Sequence, residues 1–299
     1  MDKIPQDNVT IKSYTSVHVF KNSQLTMKVD EAIKLLRLTS RISQEPVEVS
    51  YSGGKDSDVI LKLVQMAEIP YRAIYKNTTI DPPGTIAHCL SKGVEIVQPQ
   101  KTFLELVRLK GMPTRRARFC CSVMKEYKIL DTAVQGIRRV ESVKRAARYH
   151  PNDVTMCRYY GSKKNHVNLI LPILNWTDTD VEQFITELGL VCHPIYYRPD
   201  GSFDVSRRLG CIGCPLKSDQ GVADYMQYPL MLKQVANAVC DWWETHPNTK
   251  SRNKFPTPYD LIAHNLFFRT YEKYYNQTFT LFGTVDWKQK LQEKFNVQF

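Results

Sequence analysis

Val47-Glu48-Val49-Ser50-Tyr51 alternates as a strand does, is broken by Gly53-Gly54, and is followed at once by Val59, Ile60, Leu63, Val64 and Ala67 at helical spacing. That order constrains the fold more than any other feature. A strand that turns directly into a helix sends the helix back along the sheet, and the next strand then lies parallel to the first. Pro70 stops the helix and Tyr71 to Tyr75 supplies the next strand, completing a βαβ unit within roughly 30 residues.

Further elements extend the pattern. Val29, Ala32, Ile33, Leu35 and Leu36 predict an amphipathic helix over about Val29 to Leu38. Val94 to Val97, Ile129 to Val134 and Leu169 to Leu174 read as strands, and Thr177 reads as the N-cap of a helix from Asp180 to Leu188 that stops at Gly189. From Tyr225 onward the chain is helical and aromatic, with Trp242, Trp243, Phe267, Phe268, Tyr271, Tyr274 and Tyr275 at positions that suit a core better than a base-stacking surface. The expected fold class is α/β, an open, mainly parallel sheet with helices on both faces and a helical C-terminal extension. The expected division is 1–45 as an N-terminal extension with a helix, 46–220 as the nucleotide-binding domain with its cysteines, and 221–299 as the helical, aromatic-rich region.

Composition narrows the class. At 299 residues with 42% hydrophobic and 24% charged residues, the chain has the balance of a globular protein. It has no apolar run near the roughly 20 residues of a membrane span, and Met1-Asp2-Lys3-Ile4-Pro5 has no signal-peptide pattern, so a cytoplasmic protein without membrane contact is expected. A net charge of +11 suits an anionic partner, either a nucleotide or a nucleic acid. Much of that charge lies between Arg108 and Arg148, where an ordinary solvated face is the competing explanation. Eight cysteines in a reducing compartment point to metal or redox chemistry rather than disulfides.

Ser52-Gly53-Gly54-Lys55-Asp56-Ser57 joins two flexible residues, a cation and flanking hydroxyls to a helix start. Backbone N–H groups and the positive end of the helix dipole can converge there on a phosphate. It is not a Walker loop, whose glycine and lysine spacing differs. A glycine-rich turn without chemistry is the alternative.

The hexapeptide resembles the pyrophosphate loop of the adenine nucleotide alpha-hydrolase superfamily, and in particular that of the phosphoadenosine phosphosulfate (PAPS) reductase family. Asn77-Thr78-Thr79-Ile80-Asp81, Gly136-Ile137-Arg138-Arg139-Val140-Glu141-Ser142 with Arg145, and Pro172-Ile173-Leu174-Asn175-Trp176 resemble further motifs of that family in the same order, so the likeness spans about Val47 to Ser218. The resemblance implies nucleotide binding by Ser52, Gly53, Gly54, Lys55, Asp56, Ser57, Arg138, Glu141, Ser142 and Arg145. Arg138 and Arg145 would bind phosphate or sulfate oxygens through guanidinium forks, whereas Arg139 and Lys144 read as an exposed face. Lys55 would neutralise charge on a leaving pyrophosphate, and Asp56 would help to place Mg²⁺ with ATP.

Adjacent Cys120-Cys121 followed by Cys211-Ile212-Gly213-Cys214 offers four thiolates, which can hold zinc or an iron–sulfur cluster. The adjacent pair followed by Cys-x-x-Cys resembles the 4Fe-4S ligand set of the assimilatory adenylyl-sulfate reductases. Cys89, Cys157, Cys192 and Cys240 read as small core residues. Two departures from the reductases bear on activity. No cysteine follows Cys240, and the loop has the full Ser-Gly-Gly-x-Asp-Ser form typical of members that cleave ATP between the α- and β-phosphates. The resemblance therefore implies ATP-dependent sulfur transfer from a sulfur donor protein to an acceptor that it leaves open, and the basic surplus permits nucleic acid as that acceptor. The alternatives are sulfonucleotide reduction with a thioredoxin-like partner, and a nucleotide-binding regulator without turnover.

Overall fold

The computed structural model describes residues 19–43, 45–159, 166–281 and 283–299, so the Met1–Pro5 segment lies outside the described residues. In chain order the first elements are α1 (Ser23–Ile42), β1 (Val47–Tyr51), α2 (Lys55–Ala67), β2 (Tyr71–Lys76), α3 (Thr85–Ser91), β3 (Glu95–Val97), α4 (Phe103–Lys110) and α5 (Phe119–Met124). They are followed by β4 (Thr132–Val134), α6 (Val143–Arg148), β5 (Thr155–Tyr159), β6 (His166–Ile170) and α7 (Asp178–Glu187). The chain closes with α8 (Val222–Gln227), α9 (Pro229–Thr245), α10 (Pro258–Phe267), α11 (Tyr271–Thr278), a short hairpin of β7 (Phe279–Thr280) and β8 (Gly283–Thr284), and α12 (Trp287–Phe295).

The main sheet runs in the order β3-β2-β1-β4-β6-β5. All neighbours are parallel except β5, which lies antiparallel on β6 with Thr155 opposite Ile170 and Tyr159 opposite His166. The parallel strands follow from the βαβ arithmetic of the sequence. β5 does not, because Thr155–Tyr159 sits at an edge and mixes Arg158 and exposed Cys157 into its alternation. The expected strand from Leu169 to Leu174 is displaced: it ends at Ile170, and Leu171 onward forms turns around Pro172, which has no N–H to give a ladder. Thr177 caps α7 as expected, its side chain accepting from the Asp180 N–H while Asp180 reciprocates.

Three buried clusters form among the described residues, the smallest of them on β4 and β6 through Ala133, Val167 and Leu169 with Tyr149, Leu171 and Leu174. Of the larger two, one joins α1, α2 and α7 to the strands through Leu25, Val29, Leu36, Val49, Ile60, Leu63, Val64 and Phe184. The other is the aromatic C-terminal body, where Trp242, Trp243, Phe255, Phe268 and Tyr274 are buried with α4. Ile80, Met124 and Ile212 also enter this second core, so the cysteine-bearing segments lie where the helical body meets the loop after β2. Tyr271 and Tyr275 remain partly exposed rather than joining that core fully. Among the described residues no helix is long and apolar enough to cross a membrane.

Candidate functional site

Successive strands step outward from β1 to β2 and β3, and the chain then returns to place β4 on the other side of β1. A crevice opens outside the carboxyl ends of β1 and β4 at such a reversal, and open α/β sheets bind ligands there. The residues after β1 are the Ser52–Ser57 loop and those after β4 lead to Gly136, so both reach one pocket of about 120 Å³. Ser50, Ser52, Gly54, Lys55, Asp56, Ser57, Gly136, Glu141, Tyr196, Arg208 and Leu209 line it.

The loop's shape follows from its two glycines. Gly53 has φ +77°, where a side chain would be strained, and its absent Cβ leaves room for Leu209 and Thr85. Gly54 is the N-cap of α2 and makes no side-chain cap hydrogen bond; of the first-turn amides, Lys55 N–H donates to the Tyr196 hydroxyl and Ser57 N–H to the Gly54 carbonyl at 2.9 Å. Ser57 donates to the Gly54 carbonyl at 2.6 Å and so tightens the turn. Lys55 is 3% exposed; its Nζ lies 3.5 Å from an Asp56 carboxylate oxygen and 3.4 Å from the Arg207 carbonyl. Burial lowers its pKa, and the neighbouring Asp56 opposes that shift.

Arg138 is paired within the chain. It is 1% exposed and does not line the pocket. Its Nε donates to Asp56 at 2.7 Å, its Nη2 to Asp178 at 2.8 Å and its Nη1 to the Trp176 carbonyl at 3.5 Å. These bonds fix the direction of the Asp56 carboxylate and offset its charge beside the pocket. Arg145 pairs with Glu141, and Ser142 is exposed and caps α6. Of that motif, Gly136 and Glu141 line the pocket.

Ser50, Tyr196, Arg208 and Leu209 also line the pocket and are not among the expected nucleotide-binding residues. Tyr196 comes from a 3-10 turn at Pro194–Tyr196, and its hydroxyl accepts from the Leu209 N–H at 3.2 Å and from the Lys55 backbone. Arg208 and Leu209 belong to the Arg207–Gly210 stretch that immediately precedes Cys211. Arg208 is exposed and donates to the Glu141 carbonyl at 2.7 Å. Tyr196 carries no sequence signal beyond its aromatic neighbours.

The four expected cysteines do converge. Cys120 and Cys121 on α5 and Cys211 and Cys214 line one cavity together with Thr78, Ile80, Phe103, Pro113, Met124, Lys125, Gly213 and Pro215. The cavity measures about 30 Å³. That is room for roughly one water, so a metal–sulfur cluster would fit only after rotation of the surrounding side chains. Among the described residues, no three His, Cys, Asp or Glu side chains are gathered as ligands to a single metal ion. The donor set itself, four sulfurs in an apolar wall, suits soft metals and iron–sulfur clusters. A hydrogen bond between Cys120 and Cys121 raises the pKa of the first and lowers that of the second, with Lys125 and Arg118 adding to the lowering. Cys211 lies 3.6 Å from Thr78 Oγ1, and the Ile212 N–H donates to the Ile80 carbonyl at 2.8 Å, pinning this segment to the loop after β2.

Residues 46–217 match the phosphoadenosine phosphosulfate reductase domain, more than half of the chain. The chain belongs to that family. An uncharacterized protein of Methanocaldococcus jannaschii is 31% identical over 183 residues, which is 56% of this chain and 41% of that protein. An uncharacterized 37.8 kDa protein of Escherichia phage 186 is 27% identical over 194 residues, 58% of this chain and 53% of its own. The chain thus spans about half the length of the curated relatives it matches. Among solved structures, phosphoadenylyl-sulfate reductase from Candida auris in a phosphate complex aligns at 16% identity and TM-score 0.41, over 66% of this chain and 100% of that one. The U34-tRNA thiolase of Methanococcus maripaludis with its 4Fe-4S cluster aligns at 16% identity and TM-score 0.39, over 75% of this chain and 81% of that one.

Proposed function

We propose that this member of the PAPS reductase domain family uses ATP to activate an acceptor oxygen, with cleavage between the α- and β-phosphates, and then delivers sulfur to the activated atom. One observation carries the reading: Arg208 and Leu209 line the phosphate pocket, while Cys211, Gly213, Cys214 and Pro215 of the same short segment line the cysteine cavity. A phosphate cradle and a group of thiols therefore share a wall.

In the first step an acceptor oxygen attacks the α-phosphorus and the bond to the bridging oxygen breaks, so that pyrophosphate leaves with that electron pair. The positive end of the α2 dipole and the Lys55 ammonium, which lines the pocket, would stabilise the charge of the leaving group. Asp56, aimed by Arg138, is the carboxylate suited to holding Mg²⁺ with the nucleotide. In the second step a sulfur nucleophile displaces AMP from the acceptor. Cys120, Cys121, Cys211 and Cys214 would hold a 4Fe-4S cluster, whose chemistry when bound is to carry sulfur or electrons through iron. Exposed Arg115, Arg116 and Arg118 precede the first cysteine pair and exposed Lys144 and Arg148 follow Glu141, a surface suited to a nucleic-acid acceptor. Eight free thiols accord with a reducing cytoplasm.

Anaerobically purified protein is to be incubated with MgATP, a sulfide source and a panel of RNA and DNA acceptors, with pyrophosphate and AMP release as the readouts. Acceptor-dependent pyrophosphate release is expected. Thioredoxin-dependent sulfite release from adenylyl sulfate, without pyrophosphate release from ATP, would replace this reading by sulfonucleotide reduction. Nucleotide binding without turnover of either would replace it by a regulator.

A further inference from the structure

Tyr51 ends β1 and Asp58 is the first residue after the Ser52–Ser57 loop, so the two stand at opposite ends of the phosphate-binding hexapeptide. Their side chains meet beneath it, the Tyr51 hydroxyl donating to Asp58 Oδ1. His88 reaches the same point from α3. Its Nε2 is 3.0 Å from the Tyr51 hydroxyl and 3.1 and 3.2 Å from the two Asp58 oxygens. A proton on Nε2 makes His88 a donor into that carboxylate. The Cys192 thiol adds a further hydrogen bond to Asp58. Tyr51, Asp58 and His88 are only 3%, 4% and 7% exposed.

Apolar packing of β1 against α2 already holds the strand and helix, through Val49, Ile60 and Val64. A buried carboxylate is not needed for that, and it is costly to bury unless fully hydrogen-bonded. What the trio adds is a cross-link between the two ends of the loop, so that Gly53 and Gly54, the residues with most backbone freedom, span a gap of fixed width. A loop held in its bound shape loses little conformational entropy when an anion arrives.

We propose that Tyr51, Asp58 and His88 are positioning residues that hold the phosphate loop in its anion-binding shape and so set the affinity for the nucleotide's phosphates. This inference rests on the reading of the loop as the phosphate site. The trio touches no phosphate itself, since none of the three lines the pocket.

Titration calorimetry of the full chain with inorganic pyrophosphate and with MgATP tests it, alongside hydrogen exchange at residues 53–57. Tyr51→Phe and His88→Leu should each weaken pyrophosphate binding about tenfold, equivalent to about 1.4 kcal/mol, and speed exchange in the loop. His88→Gln, which keeps a donor near the Nε2 position, should restore most of the affinity. Val64→Ala, buried in the same helix away from the loop, supplies a comparable loss of stability and should leave affinity unchanged. If Tyr51→Phe fails to fold, the contrast between His88→Leu and His88→Gln still decides. Wild-type affinity in Tyr51→Phe and His88→Leu, with binding lost in Lys55→Ala, overturns the clamp and leaves the loop as the phosphate site. Equal weakening in Val64→Ala also overturns it, as does an affinity in His88→Gln no better than in His88→Leu. A wild-type chain that binds neither pyrophosphate nor ATP overturns both readings.

Discussion

Lys55 holds its ammonium in a wall from which most water is excluded, and this gives the site a pH dependence. Burial lowers its pKa below the ordinary 10.5, so the folded chain releases this proton at a lower pH than the unfolded chain does. Between those two values the unfolded chain binds more protons, and stability rises with pH across that window. Below the window the lysine is charged in both states and its burial weakens the fold. Anion binding runs the other way, because it needs the ammonium. Pyrophosphate affinity measured by calorimetry should therefore fall as pH rises into the window, before 10.5 is reached, while Lys55→Arg should show no such fall because guanidinium does not titrate there. Coincident pH profiles for the two proteins would remove Lys55 from the phosphate site. Arg138 presents the opposite case at this scale, a buried cation whose partners are carboxylates of the chain itself.

At the scale of elements, the register between the start of α2 and the residues after β4 depends on Gly136. A Cβ built there would sit 2.8 Å from the Asp56 carbonyl oxygen and 3.0 Å from its carbon. Those are backbone atoms of the first turn of α2, so they cannot rotate aside. Gly136→Ala should push α2 away from β4, lower stability by about 1–3 kcal/mol, the range for overpacking, and weaken pyrophosphate binding. Denaturant unfolding and calorimetry read the two effects, and unchanged values for both would show that the contact relaxes freely. The glycine that begins the Gly-x-Arg segment thus has a steric reason, and the arginine two residues on fixes the same aspartate from its side chain.

Over the whole molecule, Cys121 lies 90 positions before Cys211, yet the Cys120-Cys121 pair and Cys211 line one cavity against the helical C-terminal body. If these thiols bind iron, each is needed and the exposed Cys157 is not. Ser at Cys120, Cys121, Cys211 or Cys214 should abolish the iron and acid-labile sulfide of anaerobically purified protein, and Cys157→Ser should leave both unchanged. Stoichiometric zinc without broad visible absorption near ~400 nm would replace the cluster by a mononuclear thiolate site.

The sequence by itself determined the βαβ start, the parallel sheet around it, the α7 cap and the glycine loop as a strand-to-helix step, because these depend on residues within one or two turns of each other. It also singled out the four cysteines, through spacing and resemblance. Only the tertiary structure decided which cations face the pocket. Arg138 and Arg208 look alike in sequence, but one is enclosed by Asp56 and Asp178 from other elements and the other is left at the pocket mouth. The same holds for Tyr196, for the antiparallel edge strand and for the Tyr51–Asp58–His88 contact, which joins β1, α2 and α3. Local patterns record hydrophobic period and turn chemistry, whereas the partner of a polar side chain is fixed by the packing of segments distant in the chain, and burial then makes that pairing obligatory.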